Sequence, residues 1–349
     1  VLFGVLKGQH SGKAWWQWPE EQGRPTPEQL AALRLERAED IAAGTIVAWW
    51  FDDQWATLRT AAEALGIELV SDLPIYVALD SAEVWTEPKA FELDSDGRPI
   101  RLSGVPPDSF AADGQLWGNP LYRWDQHAAD GFRWWIARFR RAREWTPVLR
   151  IDHFRGFSAY YAVPGDASHA RDGTWNPGPG AALFEAIDSA LGPARAIAED
   201  LGQIDEAVHV LRAATGMLGT RVLQFGFEGD PTHDPQNIGD DVVVYTGTHD
   251  NDTTMGWWQS RTPEQRAEIS ERLAVKPHKK AILSALIDAA LGSRAPLAVL
   301  PMQDLIGLGN EGRMNLPGTV GGNWSWRLKR LPDVETAESW RARLTRFER

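Results

Sequence analysis

The chain has 349 residues, a formal net charge of −12, 43% apolar and 24% charged residues, and no cysteine. This is the composition of a soluble globular protein with ample chain for a large core. The acidic balance argues against a nucleic-acid backbone or an anionic membrane surface as partner, and no apolar run approaches a membrane span. The absence of cysteine excludes disulfides, thiolate metal sites and cysteine nucleophiles, and is compatible with a reducing cytoplasm.

Length alone allows two domains or one large α/β domain. Tryptophan is abundant, at 18 residues. Trp117, Trp175 and Trp324 lie in Gly/Pro/Asn-rich stretches, where an indole offers a flat apolar face suited to a sugar ring; core packing is the alternative.

In chain order, residues 1–25 read as irregular. Thr26-Pro27-Glu28-Gln29 is a helix start, with Thr as cap, Pro at the first helical position and Gln three residues on. The helical pattern continues to Gly66 with a break near Gly44, and Ile46, Trp50 and Leu58 fall on one apolar face. Residues 67–74 read as a strand ending in Asp72. From 81 to 126, Pro and Gly recur so closely that no long helix or strand is expected, and a loop of that length is usually a lid or binding loop. Within it, Trp117-Gly118-Asn119-Pro120 sets an aromatic beside backbone that a ligand can approach closely.

Asp130 caps a helix running to Trp145, with Trp135 and Phe139 four apart. The apolar run 148–151 reads as a buried strand that delivers Asp152 to its C-terminal end. Residues 164–180 form a second Gly/Pro loop. Helices are expected over 181–191, 204–214 and 280–291, and from Thr262, where the earlier capping signature recurs. Strands are expected over 194–198, 221–227, 242–245 and 297–300. Residues 305–332 are Gly/Asn-rich, and a charged helix closes the chain.

Strand alternates with helix, the pattern of a parallel sheet. Six strands are expected, and Asp72, Asp152, Glu199, Asp250 and Asp304 all fall just past strand ends. In a (β/α)8 barrel that rim carries the active site. An open doubly wound sheet would also use its strand ends, but no G-x-G-x-x-G follows a first strand here.

Two chemistries suit such a rim. One is a divalent-metal site using His249, Asp250 and another acid; against it, no H-x-H or H-E-x-x-H spacing appears, and a regular strand points His153 away from Asp152. The other is glycoside cleavage by a carboxylate pair, roughly 5–5.5 Å apart in a retaining enzyme. Asp152 suits the nucleophile, because Arg150 lies on the same strand face and favours its ionised form. Glu199 suits the proton donor, its pKa held up by burial and by the like charge of Asp200. Asp250 suits a third acid that steadies a cationic transition state, with His249 donating to the same sugar. Asp304 reads as a helix cap or loop anchor.

The segments Arg150–Gly156 (RIDHFRG), 198–202 (AEDLG) and 246–253 (TGTHDNDT) resemble the catalytic motifs of the 4-α-glucanotransferases, the amylomaltases or disproportionating enzymes of glycoside hydrolase family 77 in the α-amylase clan. Segments 71–77 (SDLPIYV), 104–108 (GVPPD), 117–122 (WGNPLY) and 322–327 (GNWSWR) match as well, so the resemblance runs the length of the chain. It implies a (β/α)8 barrel, with 81–126 as an inserted lid whose part around 104–120 covers the acceptor side. Asp152 is implied as nucleophile, Glu199 as acid/base and Asp250 as transition-state stabiliser. Arg150, His249 and Asp72 would line the donor subsite, and Trp117, Asn119, Pro120 and Asn323 would be further substrate-binding residues. The implied partners are α-1,4-glucans and malto-oligosaccharides, with no metal or organic cofactor. Some relatives carry an aromatic in the lid where this chain has Ser109, which implies weaker stacking there. The family also has a further stretch ahead of the point where this chain starts, carrying two of the eight strands such a barrel requires. The chain is therefore expected to be an N-terminally incomplete barrel. Two rival readings stay open: an α-glucan hydrolase of the same clan, which uses the same carboxylate pair, and a non-catalytic glucan-binding protein.

Overall fold

The computed structural model describes residues 1–107, 112–319 and 321–349. Ser109, and Asp108 of the 104–108 segment, lie outside the described residues. The chain has an α/β fold and divides into two units, Val1–Gly216 and Met217–Arg349.

The first unit holds strands β1 (Val70–Leu73), β2 (Arg101–Val105), β3 (Gln115–Pro120), β4 (Val148–Ile151), β5 (Ala159–Pro164), β6 (Thr174–Pro177) and β7 (Ala196–Ala198). The second holds β8 (Gly219–Val222), β9 (Val242–Tyr245) and β10 (Leu297–Val299). In the first unit β1, β4 and β7 form a parallel sheet in that order, with Asp72 opposite Arg150 and Arg150 opposite Ile197. In the second, β10, β9 and β8 form another parallel sheet. These are the six strands expected from the sequence. The fourth of them begins and ends earlier than expected, because Leu223–Gly226 turns into a short helix. The central strands β4 and β9 are buried at every residue, as continuous apolar runs covered on both faces should be.

The structure corrects four expectations. Residues 1–25 are not irregular: Leu2–Gln9 is helical. The Thr26 capping box forms, but the helix it opens stops at Glu36, and a second runs unbroken from Ala38 to Ala64. Gly44 is inside that second helix, where a Cβ would come within 2.8 Å of Val1 Cγ1, so it serves close packing and does not break the helix. Ile46, Trp50 and Leu58 share a face, yet that face is exposed. The polar flank of this helix is tied to the helix that ends at Trp145: Asp52 bonds Arg141 at 2.6 and 2.7 Å, and Trp55 Nε1 donates to Trp145 O at 2.9 Å. Finally, the stretches 81–126 and 164–180 are not structureless. They supply β2, β3 and β6 of an antiparallel sheet ordered β3-β2-β5-β6.

The aromatic helix Arg133–Trp145 backs the first sheet. Trp135 and Phe139 are fully buried, and Trp135 meets Phe157 edge-on at 5.3 Å. Arg138 on the same helix donates to Pro74 O at 2.6 Å, and the Tyr122 hydroxyl donates to Ile75 O at 2.7 Å. These bonds fix the chain as it leaves β1. Trp135→Ala is expected to lower the unfolding free energy by about 3–5 kcal/mol, read from the denaturant midpoint; a loss below 1 kcal/mol would show that this cluster does not carry the unit.

Candidate active site

In the first unit the ends of β1, β4 and β7 bring four charged side chains together. Arg150, on the central strand, is buried and donates to Asp72 Oδ2 at 2.7 Å and to Asp152 Oδ1 at 3.2 Å. Burial works against its charge, but the fields of Asp72, Glu199 and Asp152 outweigh burial and hold the guanidinium firmly protonated. The same-face placement of Arg150 and Asp152 is thus as the strand alternation requires.

Glu199 follows β7. Its backbone N–H donates to Ile151 O at 2.9 Å. Its carboxyl accepts from His153 N at 2.8 Å on one oxygen and from Leu201 N at 3.0 Å on the other. Burial, then the charge of Asp152, raises its pKa to about 7, against the opposing pull of Arg150 and of the two backbone N–H groups. The sequence reading gave the like charge to Asp200. The structure assigns it to Asp152, because Asp200 is turned into the core toward Arg212 at 3.4 Å.

His153 does not continue the strand. It sits in the left-handed region, at φ 48° and ψ 50°. Its ring is buried against Trp117, edge-on at 4.7 Å, and near Tyr76 at 6.5 Å. Burial, helped by Arg155, lowers its pKa to about 3, so the imidazole is neutral. Strand alternation could not have placed this residue, because the alternation stops at Asp152.

Of the other residues singled out in this unit, Trp117 is partly exposed on β3 beside His153. Asn119 is tied down, its Nδ2 donating to Val77 O at 3.1 Å and its backbone N–H to Ser103 Oγ at 3.3 Å. Pro120 is buried and pairs with Leu102. Trp175 has one face covered by the Arg155 guanidinium, 3.7 Å from the ring centre.

In the second unit the loop after β9 carries His249 and Asp250. Asn315 Nδ2 donates to Asp250 Oδ1 at 2.6 Å, and His249 Nε2 lies 3.3 Å from Asp250 Oδ2. Asn315 N donates to His249 O at 3.1 Å, while Arg313 donates to Asp250 O at 2.7 Å and pairs with Asp252. Asp304 accepts from the Thr246 and Thr254 hydroxyls, both at 2.7 Å, and so pins the two ends of this loop. It is the loop anchor its position suggested. The Trp324 ring, 54% exposed, lies 5.1 Å from His249. Asn323 uses its side chain within its own loop, accepting from Leu316 N at 3.0 Å and donating to Thr319. Arg313 and Asn315 went unnoticed in the sequence; nothing in their spacing marks them. Among the described residues, no group of three or more His, Asp or Glu side chains is placed to hold a metal ion.

A family model described as 4-alpha-glucanotransferase, of glycoside hydrolase family 77, matches residues 1–333. The chain belongs to this 4-α-glucanotransferase family. A 4-alpha-glucanotransferase of Thermus thermophilus is 44% identical over 336 residues, which are 94% of this chain and 67% of that protein. The chloroplastic/amyloplastic 4-alpha-glucanotransferase of Arabidopsis thaliana is 40% identical over 99% of this chain, which spans 60% of its length. Among solved structures, the amylomaltase from Streptococcus agalactiae in complex with acarbose superposes with a TM-score of 0.92 at 38% identity, covering 99% of this chain and 70% of that one.

The raised Glu199 pKa makes the stability of the fold depend on pH. A carboxyl whose folded pKa lies above its unfolded value gives stability that is present at low pH and lost as pH rises toward the folded pKa. Glu199→Gln removes that loss. Its unfolding free energy relative to wild type is therefore expected to improve between pH 5 and pH 8, by on the order of 2 kcal/mol, read from denaturant midpoints at each pH. An offset that stays flat across this window would mean Glu199 titrates normally.

Proposed function

We propose that the chain acts as a 4-α-glucanotransferase on α-1,4-glucans and malto-oligosaccharides, by a retaining double displacement. The observation that carries the reading is the pair at the ends of β4 and β7: one carboxylate, Asp152, bonded to a buried arginine, beside a second, Glu199, whose pKa, raised to about 7, lets it hold a proton far above the ordinary carboxyl range. Two acids in opposite proton states are what nucleophilic displacement with acid assistance needs.

In this reading Asp152 attacks the anomeric carbon while Glu199 gives its proton to the leaving glycosidic oxygen. A glucosyl ester of Asp152 forms and the shortened glucan departs. Glu199, now ionised, takes the proton of an incoming 4-hydroxyl, which displaces Asp152 and restores the α-linkage. Asp250 steadies the positive charge of both transition states; its family motif supports the role, and Asn315 and His249 hold its carboxylate ready. Arg150, Asp72 and His249 bind the donor sugar. Trp117, with Asn119 and Pro120 behind it, and Asn323 contribute to binding, and the stretch around 104–120 is the acceptor-side lid. The alternation of parallel strands with helices supports a (β/α)8 barrel as the scaffold, with the antiparallel sheet as an insertion. No helix among the described residues is long and apolar enough to cross a membrane. We place the reaction in the cytoplasm, a compartment with which the cysteine-free sequence is compatible.

Incubating the whole protein, as its gene encodes it, with maltotriose is expected to yield glucose together with longer oligomers. Shortened products alone would assign hydrolysis instead. Asp152→Asn is expected to cut turnover at least about 1,000-fold, the order of magnitude typical of losing a nucleophile. The alkaline limb of the rate profile should fall near pH 7, where Glu199 loses its proton.

A further inference from the structure

We propose that the left-handed turn at His153 positions the acid/base Glu199, through the amide that His153 shares with the nucleophile Asp152. The inference rests on the roles given above to those two acids and adds a residue that holds them in register.

The argument starts from the hydrogen bonds at the end of β4. Asp152 N donates to Leu73 O at 3.1 Å, toward β1. The next two amides both turn the other way: His153 N reaches Glu199 Oε2 at 2.8 Å, and Phe154 N reaches Glu199 O at 3.0 Å. In an extended strand successive amides point to opposite neighbours. Two in a row can address the end of β7 only because the chain turns at His153, where φ is 48°. That conformation is uncommon for non-glycine residues, Asn, Asp and His being the least disfavoured, and is worst for β-branched side chains. One peptide group therefore runs from the nucleophile's own Cα to the acid/base carboxyl.

The side chain of His153 packs beside the turn. Its ring is wedged under Trp117 and beside Tyr76. At Gly156 a Cβ would approach His153 Cδ2 to 3.1 Å, so the glycine leaves the ring its place. The ring Nε2 is buried and has no hydrogen-bond partner among the described residues. The imidazole does not act on Glu199; the backbone N–H does.

The test separates backbone from ring in the whole protein. His153→Gly and His153→Asn tolerate the left-handed turn, whereas the β-branched His153→Val resists it. With maltotriose, Gly and Asn are expected to lose no more than about five-fold in kcat. Val is expected to lose at least 30-fold, with KM changed less than about three-fold. Its alkaline limb should shift upward, because the lost N–H bond favoured ionised Glu199. The burst of fluoride release from an α-maltosyl fluoride, whose leaving group needs no proton, should recover most of the lost rate. Should Val fail to fold, His153→Ala carries the comparison, expected at least five-fold below Gly. Equal losses in Gly and in Val or Ala would assign the role to the ring and overturn the proposal, as would a Val variant with an unshifted profile. Glu199→Gln is the control: if it keeps full maltotriose turnover, the acid/base reading itself has failed, a result distinct from a failure confined to the His153 series.

Discussion

Everything at the strand ends of the first unit depends on one cation among three acids. Arg150 bonds Asp72 and Asp152 and feels the field of Glu199. A single guanidinium, however well placed, does not offset three negative charges in a partly dry crevice. The cluster relieves this by raising the pKa of one carboxyl, and geometry decides which. Asp72 and Asp152 touch the arginine directly. Glu199 is more deeply enclosed and faces the charge of Asp152, so the proton goes there, even though two backbone N–H groups favour its ionised form. Opposite proton states in neighbouring carboxyls thus follow from burial and position, with no unusual residue required.

The parts of this arrangement that run along a strand were legible in the sequence, and the parts that depend on where a strand stops were not. Arg150 and Asp152 share a face because alternation holds up to Asp152. His153 fell outside that rule because the strand ends there, and no pattern in RIDHFRG announces a left-handed residue. Asp200 was misassigned for a related reason: beside Glu199 in sequence, it turns inward to Arg212 while the real like charge, Asp152, arrives from the neighbouring strand. The Thr26 and Thr262 capping boxes were read correctly because a cap is a local motif with its own hydrogen bonds. The antiparallel sheet was missed because β2, β3 and β6 are short and interrupted by Gly104, Gly118, Pro120 and Pro177, residues that by themselves argue for loop.

The second unit shows a further limit. His249 and Asp250 declared themselves by residue type and by their place after an apolar strand. What fixes their pose lies up to 65 positions downstream, in Arg313 and Asn315, within a stretch whose Gly and Asn content reads as loop. Asp304 is the exception, since a carboxylate at a strand end is an ordinary anchor, and it anchors both ends of the 246–254 segment. A pattern within a short window names the reactive group, whereas its orientation comes from residues that only folding brings near.

Such a site is expensive in local terms. It keeps a carboxyl far from its ordinary pKa, a non-glycine residue in the left-handed region and a buried imidazole nitrogen with no partner among the described residues. Each of these persists only where the surroundings over-determine it. The surroundings here are a central strand buried along its whole length and an aromatic layer of Trp135, Phe139, Phe154 and Phe157 with no exposed surface to speak of. Close-packed rings of this kind do not deform gradually. A strained turn resting on them stays where it is put, which is the condition under which a peptide N–H can hold a proton donor at a fixed distance from the carboxylate it must work with.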